Sequence, residues 1–262
     1  MKILFALPAY NEEQGLPKLI ETFCAQMEAS GYAYQVVIVD DGSTDRTLDI
    51  VRELCARMPI DLVRHEKNAG LGETIQDALY RAAELAGSDD IVITMDADNT
   101  HSPALIPGMV RAIGEGADVV IASRYRPGAR VVGLSPLRKV MSQGARVLFQ
   151  MAFPIPGVRD YTCGFRAYRA SVLKRAFAQY GRRLAEEKGF ASMAEILLKV
   201  SKLGPAEAGV GVGGGRHRVT GGRGVVFREV PMVLRYDFKG GASKMRVGST
   251  VMKTMRMMKR LR

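Results

Sequence analysis

The chain has 262 residues, 47% of them apolar, with three scattered cysteines and a formal net charge of +11. That apolar content supports a packed core and excludes a disordered chain. Cys24, Cys55 and Cys163 have no paired spacing, which excludes a disulfide framework or a zinc cluster and suits a reducing compartment.

The positive balance fits an anionic partner: nucleic acid, an anionic membrane surface or a phosphorylated substrate. No apolar run is long enough for a membrane span, and no secretory leader is expected.

In chain order, Ile3-Leu4-Phe5-Ala6-Leu7 reads as a buried strand that Pro8 ends, with Ala9-Tyr10-Asn11-Glu12 as the turn after it. Residues 13–30 place Leu16, Leu19, Ile20, Phe23 and Met27 at helical spacing, and Gly31 ends that helix. A second apolar strand, 34–39, runs into Asp40-Asp41-Gly42-Ser43-Thr44-Asp45. There Thr44 or Asp45 caps the next helix. Residues 60–64 give a third strand. The loop Lys67-Asn68-Ala69-Gly70 then leads to a helix through Ile75 and Leu79.

Ile91-Val92-Ile93-Thr94-Met95-Asp96-Ala97-Asp98 is a buried strand ending in two aspartates. On an extended chain Asp96 and Asp98 leave the same face. Two carboxylates that close repel, and burying them unpaired is costly. A divalent cation, magnesium or manganese, removes the conflict and takes diphosphate oxygens at its remaining positions. The plain alternative is a solvated turn after a strand. A helix at 103–114 with proline in its first turn and a strand at 118–122 follow.

Strand and helix thus alternate with short loops, which predicts an α/β fold with a mostly parallel twisted sheet and helices on both faces. Acidic or polar clusters follow three strands, and in a parallel sheet their carboxyl ends share one edge. Beyond Arg124 the pattern changes. An amphipathic helix is expected at 134–153, a loop running into a strand at 160–168, a helix at 189–203 and a strand-like stretch at 225–236. Residues 209–224 hold eight glycines and are read as a mobile insert. A basic, methionine-rich helix over 243–262 suits anionic lipid or packing on the domain.

Four motifs stand in order: Pro8-Ala9-Tyr10-Asn11-Glu12, Asp40-Asp41-Gly42-Ser43, Lys67-Asn68-Ala69-Gly70 and Asp96-Ala97-Asp98. Together they resemble the family 2 inverting glycosyltransferases of GT-A fold. Ser123-Arg124-Tyr125, Leu137-Arg138-Lys139 with Ser142, Asp160 through Gly164-Phe165-Arg166, and Ser243-Lys244 resemble the dolichyl-phosphate mannosyltransferase branch.

The resemblance implies a metal-dependent hexosyltransferase moving sugar from a GDP- or UDP-sugar to a polyprenyl phosphate. It implies that Pro8, Tyr10, Glu12 and one or both of Asp40 and Asp41 hold the nucleoside. Asp96 and Asp98 would hold magnesium or manganese. Arg124, Arg138, Ser142 and Lys244 would meet the lipid phosphate. It further implies a peripheral enzyme on the cytoplasmic face of the membrane, with a separate membrane subunit as a possible partner. The expected division is a donor half at 1–125, an acceptor half at 126–242 with its insert at 204–224, and the basic helix at 243–262.

Two departures stand out. Thr100 replaces the branch's usual glutamine, and Lys239 stands where an arginine is usual. A hydroxyl acceptor would need a base, for which Glu195 and Asp160 are the candidates. Against the base role, Glu195 has Lys199 four residues on as an ion-pair partner. His101 is close enough to the aspartates to be weighed as a further metal ligand. A basic nucleic-acid-binding protein is the remaining alternative, and it leaves the acidic clusters unexplained.

Overall fold

The structure, a computed structural model, describes residues 1–134, 136–205, 223–235, 237 and 247–261, with 136–139 and 247–253 described for backbone alone. Lys244, Lys239 and most of the glycine-rich insert therefore lie outside the described residues, and Arg138 is placed by its backbone only.

The first half alternates as its sequence pattern requires. Strands β1 (Ile3–Ala9), β2 (Tyr34–Asp40), β3 (Ile60–Arg64) and β4 (Ile91–Thr94) are separated by helices α1 (Leu16–Ser30), α2 (Thr47–Cys55) and α3 (Leu71–Leu85). Helix α4 (Ile106–Gly114) then leads into β5 (Val119–Ser123). The second half adds β6 (Arg130–Val132), α5 (Pro136–Ala152), β7 (Arg166–Arg169), α6 (Ala170–Tyr180) and α7 (Ala191–Ser201). After these come β8 (Phe227–Pro231), β9 (Val233–Arg235) and α8 (Val247–Leu261).

One seven-stranded sheet runs β3-β2-β1-β4-β7-β5-β8, and β6 pairs with β9 in a small second sheet. Only β7 runs antiparallel in the large sheet, wedged between β4 and β5. Both halves of the chain thus contribute to one sheet. Ile3, Leu4, Phe5 and Leu7 of β1 are all buried at its centre. Each such side chain contributes about 1.5–3 kcal/mol on burial.

Local chemistry sets the ends of the elements. Gly31 adopts φ 65° and its N–H returns to the carbonyls of Met27 and Glu28, closing α1. Asp45 Oδ1 accepts the Thr47 N–H at 2.9 Å, so it satisfies an otherwise orphaned donor at the start of α2. Two elements were not read from sequence. Helix α6 buries Val172, Leu173 and Ala176 at helical spacing, a signal present but short. Strand β6 has three residues, too few for any period to show. Within the expected 225–236 stretch the described residues form two strands rather than one, Phe227–Pro231 and Val233–Arg235, because the chain changes sheets at Met232.

Candidate active site

Register brings the three motif-bearing strand ends to one edge. Ala9 pairs with Asp40 across β1 and β2, and Ala6 pairs with Thr94 across β1 and β4. Pro8 lies in β1 opposite Val39, and Tyr10 and Glu12 follow in a half-buried loop. That loop is tied to the one after β2. Asn11, at φ 51°, accepts the Thr44 N–H through Oδ1 at 2.8 Å, and its own N–H reaches Ser43 Oγ at 3.0 Å. The Glu12 N–H donates to Thr47 Oγ1 at 2.7 Å.

The adjacent aspartates do different work. Asp41 accepts the N–H groups of Ala69 and Gly70 at 2.8 and 3.0 Å and lies 2.8 Å from His65 Nδ1. It therefore shapes the 67–70 loop. Gly42, at φ 66°, allows that loop's backbone to come close: a Cβ there would lie 2.8 Å from Lys67. Asp40 is fully buried, and both of its carboxylate oxygens lack a hydrogen-bond partner. Leaving a buried carboxylate unsatisfied is costly, so such a group in a native fold calls for a ligand donor.

Asp96 and Asp98 follow β4. The Asp98 residue is 7% exposed, whereas the Asp96 side chain is 42% exposed. Thr100 orients Asp98, donating both its N–H (3.1 Å) and its hydroxyl (2.6 Å) to Oδ1. His101 Nδ1 accepts the Asp96 N–H at 3.1 Å. That bond occupies Nδ1 and ties the imidazole to the Asp96 backbone. His101 is also stacked on Phe165, with centroids 5.2 Å apart. Two hard carboxylate donors fit magnesium or manganese, which takes one or two carboxylates and completes its shell with phosphate and water.

The 160–164 loop connects this pair to the arginines. A Cβ on Gly164 would come within 3.2 Å of Asp96 Oδ1, and Thr94 Oγ1 donates to the Gly164 carbonyl at 2.6 Å. At the other end of the loop Asp160 is fully buried and bonds Arg124 in a fork, Nε at 2.8 Å and Nη2 at 2.6 Å. It also takes the N–H groups of Arg124 and Cys163. Burial pushes the Asp160 carboxyl up, but the Arg124 charge and hydrogen bonds outweigh it and leave the carboxyl below its usual range. Burial pushes the Cys163 thiol up to about 12.

Arg124 opens onto helix α5. The adjacent Tyr125 hydroxyl bonds the carbonyl oxygen of Ser142 at 3.0 Å and also meets its hydroxyl. The Tyr125 ring is flanked by guanidinium groups, Arg124 at 5.5 Å and Arg146 at 5.2 Å from the centroid. Sequence reading missed Arg146 as a site residue. Its signal was spacing: Arg138, Ser142 and Arg146 are four apart, which puts them along one side of a helix.

Glu195 sits elsewhere. It is fully buried in α7, with Lys199 Nζ at 2.8 Å and Arg260 Nη2 at 2.7 Å from Oε1. Its Oε2 accepts the N–H groups of Glu186 and Glu187, both at 2.8 Å. A carboxylate engaged on both oxygens is poorly placed to take a proton, so the base role weighed for Glu195 gains no support from its position. Through Arg260 and the buried Met257 and Met258, the end of α8 packs on the body of the domain. Among the described residues no helix is long and apolar enough to cross a membrane.

The Glycosyl transferase family 2 profile matches residues 5–177. The chain belongs to glycosyl transferase family 2. This family 2 chain is 34% identical over 200 residues to dolichol-phosphate mannosyltransferase of Pyrococcus furiosus, covering 76% of the chain and 53% of the relative. It is 32% identical over 186 residues to polyprenol monophosphomannose synthase of Mycolicibacterium smegmatis, covering 66% and 64%. The match thus spans between about half and two thirds of these relatives' lengths. Among solved structures, the Mycobacterium tuberculosis glucosyl-3-phosphoglycerate synthase in complex with Mg2+ and uridine diphosphate superposes with a TM-score of 0.62 at 18% identity. That superposition covers 99% of this chain and 79% of that one. At that identity the likeness shows a shared fold of GT-A type.

Proposed function

We propose that this chain transfers a hexose from a GDP- or UDP-sugar to a polyprenyl phosphate, with inversion. The observation that favours this reading is the loop at 160–164, which joins the Asp96–Asp98 pair to the Arg124–Tyr125–Ser142–Arg146 cluster. A doubly charged ion site and a cationic phosphate site then adjoin, as a displacement between two phosphate groups needs.

Asp40, buried with orphaned oxygens, would accept from a base N–H or a ribose hydroxyl, while Tyr10, Pro8 and Glu12 flank the nucleoside. Asp96 and Asp98 would hold magnesium or manganese, which when bound stabilises charge on the departing diphosphate. The lipid phosphate oxygen forms the new bond to the sugar carbon as the sugar–diphosphate bond breaks, and the nucleoside diphosphate leaves. A lipid phosphate is already ionised at neutral pH and needs no base. That agrees with Asp160 and Glu195, both locked in ion pairs. Arg124, Arg146 and Ser142 would orient the acceptor, with Arg138 and Lys244 as further cations. The two relatives named for polyprenyl or dolichol phosphate chemistry support the same acceptor class.

Residues 1–125 would then form the donor half and 126–242 the acceptor half, in an enzyme peripheral to the cytoplasmic face of the membrane. A separate membrane subunit is compatible with this arrangement, and nucleic acid is not a partner. The test is transfer of label from GDP- and UDP-sugars to undecaprenyl or dolichyl phosphate. Extractable lipid-linked sugar is expected. Transfer to a sugar hydroxyl and never to a lipid phosphate would overturn the assignment.

A further inference from the structure

His65 stands between two carboxylates that come from different elements. It follows β3. Its Nδ1 lies 2.8 Å from Asp41 Oδ1, and its Nε2 lies 3.0 Å from Asp77 Oδ2 on α3. The Asp41 side chain is 3% exposed, that of His65 14% and that of Asp77 16%. An ionised carboxylate only accepts, and a neutral imidazole has one N–H to give. With both carboxylates ionised, the two contacts are both hydrogen bonds only when the ring carries both protons. The positive ring then separates two anions that would otherwise repel.

The contacts continue in both directions. Toward the sheet edge, Asp41 Oδ1 also accepts the Ala69 N–H and Oδ2 accepts the Gly70 N–H. The His65 N–H itself donates to the Asp40 carbonyl at 2.9 Å. In the other direction Asp77 pairs with Arg182, in the helical turn Gly181–Arg183 that follows α6. Gln76 Oε1, beside Asp77, accepts the Ala185 N–H at 2.8 Å. One turn earlier on α3, the Gly72 N–H donates to the Lys188 carbonyl at 3.2 Å. The 182–188 segment is thus moored along the start of α3, and His65 joins α3 to Asp41. The terminal torsion of an aspartate is broad, so a donor fixed from the far side narrows it.

We infer that His65, held by Asp77, is a positioning residue for the nucleoside end of the site. It fixes the Asp41 carboxylate and, through it, the 67–70 loop. This deepens the proposed function and rests on a nucleotide-sugar as donor. His65 meets no reacting atom in that scheme, so its loss should weaken donor binding and spare the chemical step.

The test uses the full chain as wild type, His65→Leu and His65→Asn. Leucine keeps bulk and removes both donors, whereas the asparagine amide can donate from the place of Nδ1. Amide hydrogen exchange is measured first, without nucleotide. In His65→Leu the Ala69 and Gly70 amides should exchange about tenfold or more faster while β1 amides keep their rates. In His65→Asn they should stay within about threefold of wild type. Calorimetry with GDP and with UDP should show Kd raised about tenfold or more by leucine and within about threefold for asparagine. In transfer assays His65→Leu should raise the donor KM and hold kcat within about threefold. Asp77→Ala, which frees the ring from α3, should move the same two amides and the same Kd in the same direction.

Unchanged Ala69 and Gly70 exchange in His65→Leu overturns the inference, as does unchanged nucleotide affinity. So does a fall in kcat at constant KM, or a loss of protection spread evenly over all amides in both His65 variants. A wild type that binds neither GDP nor UDP overturns the proposed donor and the nucleoside role with it. The exchange rates need no nucleotide, so they test the hold of His65 on the loop separately from the transferase reading.

Discussion

Asp160 and Arg124 form a buried, forked ion pair that also closes the backbone, since Asp160 Oδ2 accepts both Nε and the N–H of Arg124. The pair fixes Arg124 beside Tyr125, and it fixes the loop that reaches Asp96 through Gly164. Asp160→Asn would leave a largely buried guanidinium without its counter-charge. A loss of about 3–5 kcal/mol in unfolding free energy is expected from chemical denaturation. The pH dependence has a definite sign. The folded Asp160 carboxyl lies below the ordinary value of 3.8. Its contribution is therefore complete above that pH and is lost as pH falls below it, through the folded value. The wild type should lose stability over that window, and the variant should lose less.

Asp40 makes the opposite prediction. Its carboxylate is buried with no partner on either oxygen, so its charge costs the apo fold stability. Asp40→Asn should leave the apo melting temperature unchanged or raised, while nucleoside diphosphate binding falls about tenfold or more. Calorimetry on the folded variant checks both. Unchanged affinity would remove Asp40 from the donor site.

Glu195 separates structural from catalytic carboxylates. It holds two backbone N–H groups and two cations. Glu195→Gln should lower stability clearly yet keep kcat of the folded enzyme within about threefold at low temperature. A general base would instead show a loss of about a hundredfold or more. Steady-state kinetics with a lipid-phosphate acceptor distinguishes the two.

The thiols should react in order of exposure. Cys55 is exposed, Cys24 intermediate and Cys163 buried, with the Cys163 thiol pushed up to about 12 by burial. A thiol reagent at mildly alkaline pH should label Cys55 first and Cys163 only after denaturation. Mass spectrometry of digested protein reads the order.

Much of this was legible in the chain because the acidic sheet edge is built from continuous elements. A buried strand followed by an acidic turn shows its chemistry locally, and the parallel topology then forces Asp40 and Asp96 to one edge. What stayed hidden depends on contacts between distant segments. Sequence could not say whether Asp40 or Asp41 was the unsatisfied one, because Asp41's partners are the N–H groups of Ala69 and Gly70. Nor could it show that Asp160 pairs with Arg124, thirty-six positions away. Glu195 had its Lys199 partner in plain view four residues on, but its burial and its bond to Arg260 needed the packing of α8. The antiparallel β7 hid too, since four apolar-polar residues fit either direction.

Asp96→Ala and Asp98→Ala bear most directly on the carboxylate pair. Label transfer from a nucleotide-sugar to undecaprenyl phosphate would be measured across a manganese titration, alongside calorimetry of nucleoside diphosphate binding with and without manganese. The wild type should show metal-dependent transfer and metal-enhanced binding, and both variants should lose each. Transfer and metal-enhanced binding that persist in both variants would contradict a metal held by Asp96 and Asp98.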